Sequence, residues 1–315
     1  MHYEVKPIQI SLRSRFLLFL LFRCILKPLI WLFAGNSVTS ILRTQMRIAG
    51  RLPKSSHGLP VDYHIINSVP GPFVGDLGST AKTMVLYLHG GGFLIPAAPI
   101  AHLRFLAKLC RKLDAVGFLP DYRLAPLHKY PAALDDCERA YRGLLAMGYP
   151  AHRIALAGES AGGNLVLGLL QRIRKAGLPM PTCAVPISPV TEMVRGYAPP
   201  SRIRNAGRDP MFPSGPLAQV LRLYVGDEAD GTDPELSPLY ADYTGFPPLY
   251  FLVGESEVLL DDSVLAARQA RTAGVDVRLD VWPVLPHAFP LFANLFHEAR
   301  QSHEDIATFM RQHLR

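Results

Sequence analysis

Cysteine is scarce and scattered. The 315-residue chain has four, Cys24, Cys110, Cys137 and Cys183, with no Cys-x-x-Cys pair and no Cys/His cluster at metal-ligand spacing. A disulfide framework and a metal site are therefore not expected. Cys110 and Cys137 read as buried helix thiols, and a reducing, cytoplasmic compartment is predicted. No segment has the form Gly-x-x-x-x-Gly-Lys-Ser/Thr, or Gly-x-Gly-x-x-Gly opening a helix, so no phosphate-cradling loop is expected. Repeats and low-complexity stretches are missing. Charged residues are 19% of the chain against 49% hydrophobic, too few for disorder and enough apolar bulk for a large core. The net charge is +7, but its cations are spread out, without the aromatic-interleaved stripe of a nucleic-acid binder, so no nucleic-acid partner is expected.

A clean membrane span is also lacking. Phe16 to Phe22 is unbroken and Cys24 to Phe33 mostly apolar, but Arg23, Lys27 and Pro28 interrupt. Two cations in mid-span cost several kcal/mol. No small-x-small cleavage site follows, as a signal peptide would need. The segment reads as an amphipathic helix. Its apolar face either lines a pocket or touches a lipid surface through residues 16–34, helped by nearby cations such as Arg13, Arg15 and Arg43.

What the chain does have is Gly158-Glu159-Ser160-Ala161-Gly162, with His89-Gly90-Gly91-Gly92 about 70 residues upstream. A Gly-x-Ser-x-Gly alone arises by chance in roughly one such chain in ten; a preceding His-Gly-Gly-Gly makes the pair specific. The first is a nucleophile elbow, a sharp strand-to-helix turn where bulky neighbours two residues away would clash. Arg153 to Ala157 reads as its strand and Asn164 to Leu170 as its helix. Ser160 then lies at a helix N-terminus, which favours developing negative charge. Oxyanion donors are expected at the N–H of Ala161 and, from the glycine loop, of Gly91 and Gly92.

A serine nucleophile needs a base, and the base an orienting acid, in the chain order Ser, acid, His for this fold. Of eleven histidines, His287 follows the strand-like Val277–Trp282 and a Pro-bounded turn, so it is the candidate base. His297, His303 and His313 fall on a C-terminal amphipathic helix as solvated or partly packed residues. Glu257, on the loop after the strand-like Pro248–Val253, is the candidate acid; Asp261, on the first turn of the next helix, is the alternative.

These segments, with Asp121-Tyr122-Arg123-Leu124-Ala125-Pro126, Ser188-Pro189, Asn205, Asp209-Pro210, Ser237-Pro238-Leu239 and Pro286-His287-Ala288-Phe289, resemble the bacterial esterases of the hormone-sensitive lipase family over residues 60 to 315. The resemblance implies an α/β-hydrolase fold, carboxylic ester hydrolysis without a cofactor, and a cap over the acyl pocket. It implies Ser160 as nucleophile, Glu257 as acid, His287 as base, and Gly91, Gly92 and Ala161 as the oxyanion hole. The family usually has Asp where this chain has Glu257, and often an aromatic where it has Val190. Asp121 and Arg123 read as a buried structural ion pair.

Strands alternating with helices imply a mostly parallel sheet flanked by helices. Strands are expected at Val61–Asn67, Thr83–His89, Ala115–Leu119 and Cys183–Ile187, and helices at His102–Leu113 and Pro131–Met147. The rhythm breaks between Pro189 and about Glu235, a stretch rich in Pro, Arg, Gly and Asp with one helix-like run, Pro216 to Tyr224. It reads as a cap insertion at about 190–235 on a catalytic domain of residues 51–315, joined by an N-terminal cap segment, 1–50. The expected substrate is a short- to medium-chain acyl ester, taken through an acyl-enzyme. Longer acyl chains, an acylated amide and a non-catalytic ligand-binding role are the other readings, and a homodimer is left open.

Overall fold

The apolar runs become strands buried on both faces. The computed structural model describes residues 3–34, 38–48, 52–80, 82–194, 197–212, 217, 222–226 and 229–314. Its strands are β1 (Ser55–Ser56), β2 (Leu59–Ile66), β3 (Val69–Val74), β4 (Met84–Leu88), β5 (Val116–Phe118), β6 (Ile154–Glu159), β7 (Cys183–Ile187), β8 (Leu249–Gly254) and β9 (Val277–Trp282). They form one sheet in the order β1-β2-β3-β5-β4-β6-β7-β8-β9. β1, β2 and β3 pair antiparallel, as does β3 with β5; from β5 through β4 to β9 every pairing is parallel.

Alternation along each strand divides the core in two. Met84, Leu86 and Leu88 of β4 share one apolar cluster with Ile154, Leu156, Leu249 and Phe251, while Val85 and Tyr87 join Ala155, Ala157, Tyr250 and Leu252 in the other. Helices α5 (Ala132–Ala146), α6 (Ala161–Lys175) and α8 (Leu260–Thr272) cover the first face. Helices α4 (Arg104–Leu113) and α9 (His297–His313) cover the second. Helix α7 (Pro200–Arg204) lies in the stretch where the βα rhythm breaks. The helix-like run from Pro216 to Tyr224 lies mostly outside the described residues.

Strand β3 had no sequence expectation, and it contains Pro70, Gly71 and Pro72. Proline gives no N–H to a ladder, but its carbonyl still accepts. Pro72 accepts from Leu119 N at 3.0 Å and Pro70 from Asp121 N at 2.8 Å. Two other expectations are corrected. Asp121 and Arg123 do not pair with each other: Tyr63 Oη donates to Asp121 at 2.6 Å, and Arg123 forks onto Asp136 of α5. His303 is not solvated; it is buried with Nε2 2.7 Å from the Pro290 carbonyl oxygen, and burial pushes its pKa down to about 4.

The N-terminal chain wraps onto this body. Val5 bridges to Val281 of β9, and Lys6 Nζ pairs with Asp280 and Asp305 at 2.9 and 2.7 Å. It then runs through α1 (Leu12–Leu17), a wide π-helical stretch (Leu18–Leu26), α2 (Lys27–Ala34) and α3 (Val38–Ile48). Ser11 caps α1, Ser14 Oγ donates to Glu298 of α9 at 2.7 Å, and Phe22 packs on Phe292 and Phe296. Lys27 Nζ donates to the carbonyls of Ala206 and Asp209 at 3.0 and 2.7 Å.

The tightest approach in the sheet lies between α6 and the end of β4. A Cβ at Gly162 would stand 1.9 Å from the Leu88 carbonyl oxygen and 2.6 Å from that of His89. Both are backbone atoms, which cannot swing aside. Gly162→Ala is expected to cost about 3 kcal/mol and lower the melting temperature by several degrees. Gly207→Ala, where a Cβ meets nothing within 4 Å, should leave a thermal melt within about 0.5 kcal/mol of the parent.

Candidate active site

Ser160 precedes α6 with φ +57° and ψ −120°, a backbone conformation that costs a side-chain-bearing residue on the order of 1–3 kcal/mol. Surrounding bonds hold it there. Ser160 N donates to the Ile187 carbonyl of β7 at 2.9 Å, and Asn164 N donates to the Ser160 carbonyl at 3.1 Å. Leu88 of β4 is level with Gly158 of β6, so the glycine loop and the elbow leave the sheet side by side at strand C-terminal ends, beside the point where strand order reverses.

Glu159, buried between them, ties the two together. Its carboxylate accepts hydrogen bonds from Gly90 N and Tyr87 Oη. His102 Nε2 lies 3.0 Å from the same carboxylate, while Ala98 N donates to His102 Nδ1 at 2.8 Å. With Nδ1 accepting, the ring keeps its proton on Nε2 and donates it to Glu159. Burial would raise the Glu159 carboxyl, but His102, Tyr87 and the Gly90 N–H hold it below its ordinary value. His89 is neutral: burial pushes its pKa down to about 3, and its ring stacks on Tyr122 with centroids 4.2 Å apart. Gly91, at φ +112°, accepts from Leu94 N and Ile95 N at 3.1 and 3.0 Å. Among the described residues the N–H groups of Gly91, Gly92 and Ala161 have no intramolecular acceptor.

On the far side of the elbow, His287 Nδ1 lies 2.7 Å from Glu257 Oε2, both side chains being buried. The other Glu257 oxygen accepts from Gly254 N at 2.6 Å and Ser188 Oγ at 2.9 Å. Asn205 Nδ2 donates to the carbonyls of Glu255 and Glu257 at 3.0 and 2.8 Å. Asp209 accepts from Val258 N at 2.9 Å with one oxygen, and from Met211 N and Phe212 N at 2.8 Å with the other. Burial, and then the charge of Glu257, raise Asp209 above the ordinary carboxylate value. Asp261 does not approach His287; it accepts from Ser201 N at 2.8 Å and pairs with Arg204, both of α7. His287 Nε2 is buried and, among the described residues, has no protein partner. Burial would lower the His287 pKa, but the Glu257 hydrogen bond and charge, with Asp209 and Glu159 behind them, hold it above its ordinary value.

Ser160, His287 and the loop Gly90–Gly92 open onto one cavity of about 470 Å³. Apolar side chains from three regions complete its wall: Leu29 and Ile30 of α2, Met211 and Phe212 from the stretch after α7, and Leu291 and Phe292 after His287. A serine oxygen, an unpartnered imidazole nitrogen and free N–H donors around an apolar chamber are the parts of nucleophilic acyl transfer. Among the described residues no group of three or more His, Cys, Asp or Glu side chains could hold a metal ion. Glu159, His102 and the supporting roles of Ser188, Asn205 and Asp209 were not drawn from the sequence. A carboxylate inside the apolar β6–α6 junction, Glu159, was the available signal.

Residues 85–291 match a family described as having the alpha/beta hydrolase fold. The chain is 38% identical over 236 residues to esterase LipU of Mycobacterium tuberculosis, covering 73% of this chain and 78% of that protein. It is likewise 38% identical over 236 residues to carboxylesterase/phospholipase LipF of the same organism, covering 73% of this chain and 62% of that one. Among solved structures, an esterase from the bacterial hormone-sensitive lipase family superimposes with a TM-score of 0.83 at 32% identity, over 98% of this chain and all of the other, 100%.

Glu159→Ala would leave the Gly90 N–H, the Tyr87 hydroxyl and the His102 N–H without their buried acceptor. The expected loss is about 3–5 kcal/mol in chemical denaturation. Glu159→Gln, which keeps the shape and one acceptor oxygen, should lose less than half of that.

Proposed function

The chain belongs to the α/β-hydrolase family and, like the bacterial hormone-sensitive-lipase esterases it resembles, is a carboxylic ester hydrolase; on that premise we propose that Ser160, His287 and Glu257 carry the reaction. The observation that carries this reading is the 2.7 Å contact between Glu257 and His287 Nδ1. It leaves the opposite ring nitrogen unpartnered beside the cavity that Ser160 lines. In the first step His287 Nε2 takes the Ser160 proton as Oγ attacks the ester carbonyl. Glu257 accepts from Nδ1, fixing the tautomer and stabilising the imidazolium. The N–H groups of Gly91, Gly92 and Ala161 receive the oxyanion. His287 returns its proton to the leaving alcohol, and water then cleaves the acyl-enzyme by the same route in reverse roles.

Residues 1–50 and 190–235 act as one cap. The support is that Leu29 and Ile30 from the first, and Met211 and Phe212 from the second, line the chamber, with Lys27 tying the two segments together. The chamber's volume and apolar wall favour a short- to medium-chain acyl group. A longer-chain substrate is the second reading, favoured by Leu29, which lines the chamber yet is exposed at its mouth; the name carboxylesterase/phospholipase of one relative agrees with it.

Hydrolysis of p-nitrophenyl esters from acetate to palmitate tests both readings. The expected maximum lies at short to medium chains; a maximum at palmitate selects the second reading. Ser160→Ala should lower kcat by about 10⁶-fold and Glu257→Gln by about 10⁴-fold; full activity in Ser160→Ala would overturn the assignment. The sign of the pH dependence follows from His287. The base must be neutral to act, and its pKa is raised, so kcat/KM should fall on the acid side with a midpoint above 6.5, its ordinary value.

A further inference from the structure

The helix from Leu12 to Ala34 is apolar on the side that faces away from the protein. Its inner side is set by Ser14, Leu18 and Phe22, buried against α9 and the Phe292–Phe296 turn. On its outer side Leu12, Phe16, Phe19, Leu20, Leu29 and Leu32 are 84, 62, 60, 45, 54 and 61% exposed. A soluble surface helix presents polar residues there, and a helix that is apolar all round normally has something on both sides. Among the described residues no helix is long and apolar enough to cross a membrane.

The charge around this face is mostly basic. Residues 5–61 carry nine Lys or Arg and no Asp or Glu, whereas the rest of the chain carries 24 Lys or Arg against 26 Asp or Glu. Arg13, Arg15 and Arg23 are exposed on the same helical segment. Arg15 and Arg23 also line, with Phe19, a groove of about 540 Å³, together with Arg208 from the stretch that Lys27 ties to the helix and a single acid, Glu255, against three arginines. Apolar side chains set among guanidinium groups are complementary to hydrocarbon beneath a layer of phosphates, and guanidinium groups bind phosphate oxygens in pairs.

We propose that this face of the N-terminal helix docks, lying flat, on an anionic phospholipid surface. Phe16, Phe19 and Leu20 enter the acyl boundary, and Arg13, Arg15 and Arg23 engage headgroup phosphates. Leu29, exposed on the same helical segment, also lines the chamber that holds Ser160, so the docked segment leads toward the reaction site. The docking itself does not rest on the catalytic assignment.

Sedimentation of the full chain with phosphatidylcholine vesicles, with and without phosphatidylglycerol, tests this. Binding is expected with phosphatidylglycerol and should weaken as salt rises. Replacing Arg13, Arg15 and Arg23 together by Gln should weaken it on the order of 100-fold, and Phe16→Glu with Phe19→Glu should abolish it. Both variants should retain parental hydrolysis of p-nitrophenyl acetate in vesicle-free solution, which shows that they are folded and separates failure of docking from failure of catalysis. Absence of vesicle binding overturns the proposal. So does equal binding to both kinds of vesicle that the arginine replacements do not change. A dimer in sedimentation equilibrium that Phe16→Glu with Phe19→Glu disperses would instead assign the face to a second copy of the chain.

Discussion

One buried carboxylate joins the two halves of the reaction site. Glu159 leaves β6 one residue before Ser160 and accepts from the first glycine N–H of the loop after β4, from Tyr87 within β4, and from His102 at the entry to α4. A charged group out of water is tolerated only with several partners at good geometry, and Glu159 has them from three separate elements. Gly90 is so engaged, and the two glycines that follow line the chamber with N–H groups that have no intramolecular acceptor among the described residues. The level register of β4 and β6 and the missing Cβ at Gly162 bring the strand ends close enough for this joint to form.

A second joint of the same kind serves Glu257. Glu257 is held on its non-imidazole side by Ser188 and Gly254, and its loop hangs from Asn205 and Asp209. Asp209 also fixes the N–H groups of Met211 and Phe212. The side chain of Phe212 stands edge-on to His287, with centroids 5.0 Å apart. The same carboxylate therefore sets the position of the Glu257 loop and of one wall of the chamber.

The fold was legible wherever burial imposed a period on the sequence. β4, β6 and β7 are apolar on both faces, and Cys183–Ile187 was placed to the residue. β3 was missed: its two prolines and glycine give a loop's local signal, and its pairing with β2 along its length, and with β5 at its end, makes it a strand. The elbow and the glycine loop were legible because their chemistry demands glycine at fixed offsets. The partners of Glu159 were not, since Tyr87, His102 and Gly90 lie 57 to 72 residues away in sequence and no spacing rule links them. Asn205 and Asp209 stood out as a pattern, but their work is done on backbone groups, which leave no mark on residue type. The sequence left Asp261 open beside Glu257; in the structure that carboxylate is bonded to Ser201 N and Arg204 of α7.

The chamber has few polar groups to spare for recognition. Its two ionisable wall residues besides His287, Glu159 and His102, are bonded to each other, and the rest of the wall is mainly aliphatic, aromatic and thioether surface. A cavity of that kind grades acyl groups by fit. Each methylene that finds a place adds about 1–3 kcal/mol of discrimination, and an added hydroxyl is refused only weakly. An apolar wall of this kind selects as a ruler does: continuously, by length, and nearly blind to functional groups carried beyond its reach.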